Sequence, residues 1–272
     1  MRSFSATPWE MFVSLWRNRD LVVALIKREV LGRYRGSYFG IFWSFFHPLF
    51  MLAVYTFVFS VVFQARWSGG SDSKTEFALM LFAGLMVYNL FSECINRAPA
   101  QVISNSNYVK KVVFPLEVLP WAAMGAALFN SCISFIVWLA FYAMFFGIPH
   151  VTVLLFPLVI FPLILFTMGL SWALAAIGVY LRDVSQFIGI ITTTLLFMSP
   201  IFYPVSALPE QYQSLLQLNP LTPIIEQVRS ILVLGRVPDV MQYGVCLVVG
   251  AIVSWLGFAV FQKTRKGFAD VL

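Results

Sequence analysis

Charge is scarce in this sequence. Only 11% of its 272 residues are Asp, Glu, Lys or Arg, where a soluble domain carries about 25%. Hydrophobic residues make up 60%, and the mean hydropathy is +0.84. A chain of this length cannot hide so much apolar surface in one water-soluble core, so its solvent is lipid. Histidine is nearly absent: His47 and His150 lie far apart, and the 12 acidic residues are dispersed. That pattern argues against a metal site and against an intramembrane glycosyl- or phosphotransferase, which needs clustered carboxylates or imidazoles near one membrane face. The cysteines, Cys94, Cys132 and Cys246, form no CxxC pair and read as small buried hydrophobes. No GxxxxGK[ST] phosphate loop occurs, so the chain has no such cradle for ATP. An aromatic-interleaved basic groove is also missing, which removes nucleic acid as a partner. No internal repeat marks an ion-coupled carrier.

What the sequence does have is long apolar runs. Hydropathy predicts an all-α polytopic protein of six spans, near Phe39–Phe63, Phe77–Arg97, Leu119–Phe146, Val151–Tyr180, Phe187–Phe202 and Tyr243–Phe261. Pro157 and Pro162 are expected to kink the fourth. Lys and Arg set the orientation. With the amino terminus inside, the inner segments hold the basic residues of 1–38, Lys110, Lys111, Arg182 and those of 263–272. The outer ones hold Arg66, Lys74, Arg229 and Arg236. Both termini are therefore expected to be cytoplasmic. No signal peptide is expected, because the first long apolar run lies behind a long basic stretch.

Two further apolar segments are not expected to span. Pro8–Val30 interleaves Phe12, Leu15, Trp16, Leu21, Leu25 and Ile26 with charge, as an amphipathic helix in the inner interface does. Tyr203–Leu234 is cut by Pro204, Pro209 and Asn219-Pro220 into pieces too short to cross, and predicts a re-entrant or interfacial helical hairpin. In its second piece Ile224, Ile225, Val228, Ile231 and Leu232 share a face, and Glu226 can pair with Arg229.

The run Lys27-Arg28-Glu29-Val30-Leu31-Gly32-Arg33-Tyr34-Arg35-Gly36-Ser37-Tyr38-Phe39-Gly40, with Trp43 and Pro48, resembles the amino-terminal signature of ABC-type polysaccharide export permeases of the type-2 exporter family. Matches continue in order. They are Ser104-Asn105-Ser106-Asn107 with Lys110-Lys111 and Phe114-Pro115, Arg182-Asp183-Val184, Ser199-Pro200-Ile201-Phe202-Tyr203-Pro204, and Asn219-Pro220-Leu221-Thr222-Pro223 with Arg229 and Gly235. Glu117 departs from the pattern, since many relatives carry a basic residue nearby.

The resemblance implies a transporter permease, not an enzyme. It implies a homodimer bound to two copies of a separate nucleotide-binding subunit, which holds the ATP and Mg. The substrate implied is a lipid-linked polysaccharide, such as O-antigen, crossing a bacterial inner membrane; capsule, teichoic acid and small-molecule cargo stay open. One permease domain, 1–272, would then comprise an interface helix (1–38), spans one to five (39–202), a periplasmic gate segment (203–239), span six (240–262) and a cytoplasmic tail (263–272).

Three residue sets follow. Lys27, Arg28 and Glu29, with Asn105, Asn107, Lys110, Lys111, Arg182 and Asp183, are candidates for coupling to the ATPase; alternatively the lysines obey the positive-inside rule and Arg182 pairs with Asp183. Phe39, Trp43, Phe46, Phe50 and Phe57 form an aromatic stripe that, with Tyr88, Asn89 and Phe91, could line a sugar conduit. The alternative is a chance stripe or interface anchors in a chain with 28 Phe. Leu215, Asn219, Pro220, Ile224 and Val228 are candidates for a gate turning about the Asn219-Pro220 corner, or for a static anchor. Glu93 and Arg97 suit an ion pair or a substrate contact. Gly32, Gly36 and Gly40 predict a bend into the first span rather than a GxxxG face.

Overall fold

The computed structural model describes residues 6–58, 74–109 and 114–272, the Lys74 and Leu215 side chains excepted. Lys110 and Lys111 lie outside the described residues. Every regular element described is helical, with no strand.

The amphipathic segment is two helices, not one: α1 (Pro8–Arg17) and α2 (Arg19–Tyr34). Asn18 separates them. Its Nδ2 donates to Ser14 O at 2.8 Å, beside its own backbone N–H at 3.1 Å, so Asn18 caps the end of α1 with both groups. Past α2 the chain turns at Gly36 (φ +84°) and Gly40 (φ +53°), a conformation that costs glycine little. The expected glycine bend is therefore present, and it leads into α3 (Trp43–Tyr55).

Among the described residues, five helical stretches are long and apolar enough to cross a membrane: Gly40–Val58, Thr75–Gln101, Val118–Phe146, Val151–Tyr180 and Val240–Val271. They contain α3, α4 (Lys74–Gln101), α6 (Val118–Phe146), α7 (Phe156–Tyr180) and α11 (Val240–Thr264). A short α5 (Ser106–Val109) precedes α6, and α12 (Phe268–Val271) follows α11. The remaining predicted span is α8 (Val184–Met198), only 15 residues long. Pro157 sits in the first turn of α7, where a missing N–H leaves no bond unmade; Pro162 alone of the pair lies inside the helix.

Packing ranks the helices. α4 is the central post, with Phe77 through Tyr88 buried. α3 is the outlier, with few buried residues, namely Ser44 and Leu52. The tightest pair is α7 with α11. A Cβ on Gly257 would sit 1.9 Å from Gly169 O, and one on Gly169 only 2.3 Å from Val253 O. Backbone thus meets backbone, the arrangement by which small residues bind helices in lipid, where burial against lipid tails offers little driving force.

Two ends result. The basic end gathers α1, α2, the last turns of α4, α7 and α11, and the first turn of α6. There the Glu117 carboxylate accepts from Ser14 Oγ at 3.1 Å and from Arg265 at 2.5 Å, while Arg265 also donates to Phe114 O at 2.8 Å. The departure from the family pattern at Glu117 is thereby compensated from the carboxyl-terminal tail. The opposite end carries α9 (Glu210–Gln217) and α10 (Leu221–Leu232).

Candidate functional site

A polar cleft of about 410 Å³ opens between α3, α4 and α6, with the end of α2 closing one side. Three stripes of polar residues face it from helices that are otherwise apolar. Ser44 and His47 come from α3, Asn89, Glu93 and Asn96 from α4, and Asn130, Ser131 and Ser134 from α6. Spacings of three or four, Ser44–His47, Asn89–Glu93–Asn96 and Asn130–Ser134 with Ser131 beside them, put these side chains on one face of each helix. Trp43 stands at the rim, with its ring 5.8 Å from Phe39 and 6.3 Å from Phe46.

Glu93 is the charge of the cleft. Arg33 donates to its carboxylate, and Asn130 Nδ2 reaches both oxygens, at 3.2 and 3.0 Å. Partial burial lowers the Arg33 pKa, but the Glu93 hydrogen bond and charge, with smaller contributions from Tyr34 and Glu29, outweigh it and the net direction is upward. Arg97 is shared: one guanidinium nitrogen donates to Glu29 of α2, while another stands 3.9 Å from Glu93. The predicted Glu93–Arg97 pairing is thus a weak link in a chain of charge, Glu29–Arg97–Glu93–Arg33, that ties the interface helix to two spans.

Of the aromatic stripe, Phe39, Trp43, Phe46, Phe50 and Phe57 are all exposed. Tyr88 and Phe91 are instead buried within the chain. Tyr88 donates to Thr192 O at 2.9 Å, and Phe91 stacks on Phe166. Asn89 alone of that trio reaches the cleft.

At the basic end Arg28 joins α2 to the loop after α4. It donates to the Tyr108 hydroxyl at 2.5 Å and approaches Asn105 Oδ1 at 3.4 Å, and Tyr108 stacks on Phe114 at 4.2 Å. Lys27 and Asn107 are exposed, and Glu29 faces Arg97. Arg182 and Asp183 are both exposed on the turn between α7 and α8, and no ion pair joins them. The structure therefore brings Arg28 and Asn105 together, turns Glu29 toward Arg97, and leaves Arg182 and Asp183 on a separate turn.

The hairpin has one residue that apolar patterning understated. Arg229 is 2% exposed. Its guanidinium donates to Met80 O at 3.0 Å, Ile201 O at 2.7 Å, Pro200 O, and Glu226 Oε1 at 3.0 Å. Burial pushes its pKa down to about 10, with Glu226 opposing, so it stays charged at neutral pH. Gly84 makes room for it, since a Cβ there would lie 3.0 Å from Nη2. The signal was present in the sequence: Arg229 follows Ile225 by four and precedes Leu232 by three, on the apolar face. Ile224 and Val228 are buried in the chain's own core, so neither is free to seal against a second helix. Asn219 is fastened too, its Nδ2 donating to Ser199 Oγ at 2.8 Å and its Oδ1 accepting from Leu221 N at 3.0 Å. The Asn219-Pro220 corner is thus tied to the end of α8.

No group of three or more His, Cys, Asp or Glu that could hold a metal occurs among the described residues. The profile of the ABC-2 type transporter family matches residues 20–233. The chain is 28% identical over 258 residues to the O-antigen export system permease protein RfbA of Myxococcus xanthus, covering 94% of this chain and 96% of that one. A Klebsiella pneumoniae protein of the same name is 25% identical over 254 residues, covering 93% and 95%. The polysialic acid transport protein KpsM of Escherichia coli is 23% identical over 252 residues, covering 90% and 93%. With a family match across most of its length and a bundle of membrane-length helices, the chain belongs to the ABC-2 type transporter family.

Proposed function

We propose that this chain is the pore-forming permease subunit of an ATP-driven exporter that moves a lipid-linked polysaccharide of the O-antigen class across a bacterial inner membrane. The observation that carries the reading is near full-length similarity to permeases named for O-antigen export. The lack of a phosphate loop supports a division of labour in which a separate subunit binds ATP and Mg, and the work enters through contacts with this chain. On this reading the functional unit is a homodimer with two ATPase subunits. The basic end faces the cytoplasm with both termini, and α8 makes the sixth crossing.

Coupling is assigned to the surface where Arg28 and Asn105 meet, with Glu29 and Asn107, and to the Arg182-Asp183 turn; Lys110 and Lys111 are assigned to it from the sequence alone. A push on α2 has a route inward, because Glu29 holds Arg97 and Arg97 neighbours Glu93 in the cleft. The exposed stripe of α3 is the conduit wall, where aromatic faces can accept sugar C–H surfaces without fixed hydrogen-bond geometry. The gate is α9, the less buried half of the hairpin, turning against a fixed α10 rather than moving with it.

Deletion of the gene tests the reading. Undecaprenyl-linked glycan should accumulate in the cytoplasm, and its composition names the cargo, O-antigen or capsule. A deletion strain that displays its surface polysaccharide normally and stores none inside would refute the proposal.

A further inference from the structure

The cleft between α3, α4 and α6 holds more hydrogen-bonding capacity than its own residues consume. Much of its lining is internally satisfied: the Glu93 carboxylate by Arg33 and Asn130, Ser134 Oγ on Asn130 O at 3.0 Å, and Asn96 Oδ1 by Thr192 at 2.9 Å. Of the groups left over, which include His47 and Ser131, two carry the argument. Ser44 is 8% exposed, lines the cleft, and its hydroxyl has no hydrogen-bond partner among the described residues. The Asn89 carboxamide, exposed on the α4 wall of the same cleft, makes no hydrogen bond with them either. A buried hydroxyl without a partner costs about 1–3 kcal/mol, a cost a spanning helix could escape with alanine at the same position.

Charge decides the class of ligand. Arg33 and Arg97 are matched by Glu93 and Glu29, so the cleft presents dipoles with no net charge. A phosphate or carboxylate would have to compete with Glu93 for its arginines. A hydroxyl, which both donates and accepts, fits an amide and a serine without disturbing any ion pair. Trp43 adds an apolar ring at the rim. The volume, about 410 Å³, falls within the ~300–1,000 Å³ of small-ligand sites and suits a short stretch of glycan rather than a coiled polymer.

We propose that this cleft is a sugar-recognition subsite, in which Ser44 and Asn89 hydrogen-bond the hydroxyls of an uncharged sugar unit of the transported chain and Trp43 walls it. The proposal rests on the exporter reading and adds to it a place where the permease reads the glycan itself.

The test uses the full chain with its ATPase in nanodiscs. The probe is a lipid-free trisaccharide fragment of the host's own surface polysaccharide, and binding is read by saturation-transfer NMR and calorimetry. The wild-type complex should bind, Ser44→Ala with Asn89→Leu should weaken binding at least tenfold, and Asn89→Gln should restore part of it. In cells, the double variant should slow export at wild-type membrane abundance. Equal affinity in the double variant overturns the subsite, as does a wild-type complex that exports yet binds no trisaccharide. Displacement of the trisaccharide by inorganic pyrophosphate would mark an anion site and overturn it as well. In each of these outcomes a deletion strain that accumulates lipid-linked glycan leaves the exporter reading standing, so the two can fail separately.

Discussion

Two arginines tied to the bundle, one 2% and the other 38% exposed, behave as opposites. Arg229 at the hairpin end spends most of its donors on backbone carbonyls of Met80, Pro200 and Ile201. Those acceptors cannot titrate, rotate or leave. Arg97 at the basic end is divided between two carboxylates on different helices, Glu29 of α2 and Glu93 of its own α4. Either can release it when α2 shifts. The same side chain is a rivet in one place and an exchangeable link in the other. The acceptors and the burial together make the difference.

The comparison can be broken at its strong end first. Arg229→Gln removes the cation from a site built of carbonyls and should cost about 3–5 kcal/mol. A large fall in melting temperature in detergent is expected, together with protease cleavage near Pro204–Pro209. A melt superimposable on wild type would show that the carbonyls never depended on it. Gly84→Val attacks the same rivet indirectly. Its Cβ would stand 3.0 Å from the Arg229 guanidinium, and overpacking of this kind costs about 1–3 kcal/mol. The double variant Gly84→Val with Arg229→Gln should cost less than the sum of the two, as a double-mutant cycle on the melts would record.

The exchangeable link should show the reverse balance. Arg97→Ala leaves Glu93 with Arg33 and Asn130 but takes from Glu29, 17% exposed, its arginine, so stability should fall by about 1–2 kcal/mol, less than at Arg229. Coupling should suffer instead, with ATP hydrolysis by the complex persisting while export in vesicles drops severalfold. Equal losses in both assays would make Arg97 another anchor. The smallest effect concerns pH. The Arg229 pKa is lowered to about 10, so the folded state begins to shed its proton there, before the unfolded chain does. Its contribution to stability therefore rises with pH only above about 10 and is flat from pH 6 to 8. Melting of wild type and Arg229→Gln across that lower range should shift in parallel.

Composition and apolar run length made the membrane bundle legible, because those signals extend over some twenty residues and survive local ambiguity. They also exposed α10, whose Ile224, Ile225, Val228, Ile231 and Leu232 are all buried as their spacing required. What spacing could not give is the partner. Glu117 read as an anomaly because Arg265, which answers it, lies 148 residues away. The Pro8–Val30 segment read as one helix because hydropathy does not register an asparagine that takes a carbonyl for itself. Ser131 and Ser134 passed as ordinary span residues, although their polarity lines up with Asn130 on one face. The Gly169–Gly257 contact escaped for a related reason: neither glycine has another four residues away in its own helix, and only the docked pair shows what both are for.

The short helix α8 carries a consequence for the bilayer. Fifteen residues rise about 22 Å, some 8 Å short of a hydrocarbon core about 30 Å thick. On the six-crossing reading, lipid beside α8 must thin to meet it, as it does around any undersized span. A thinned annulus next to a conduit shortens the distance that hydroxyl groups travel away from water, and it presses headgroups of the two leaflets toward each other. In such a place a carrier lipid can follow its glycan from one leaflet to the other across less hydrocarbon. The protein would then lower the crossing barrier partly by reshaping its solvent, through nothing more than the length at which one helix stops.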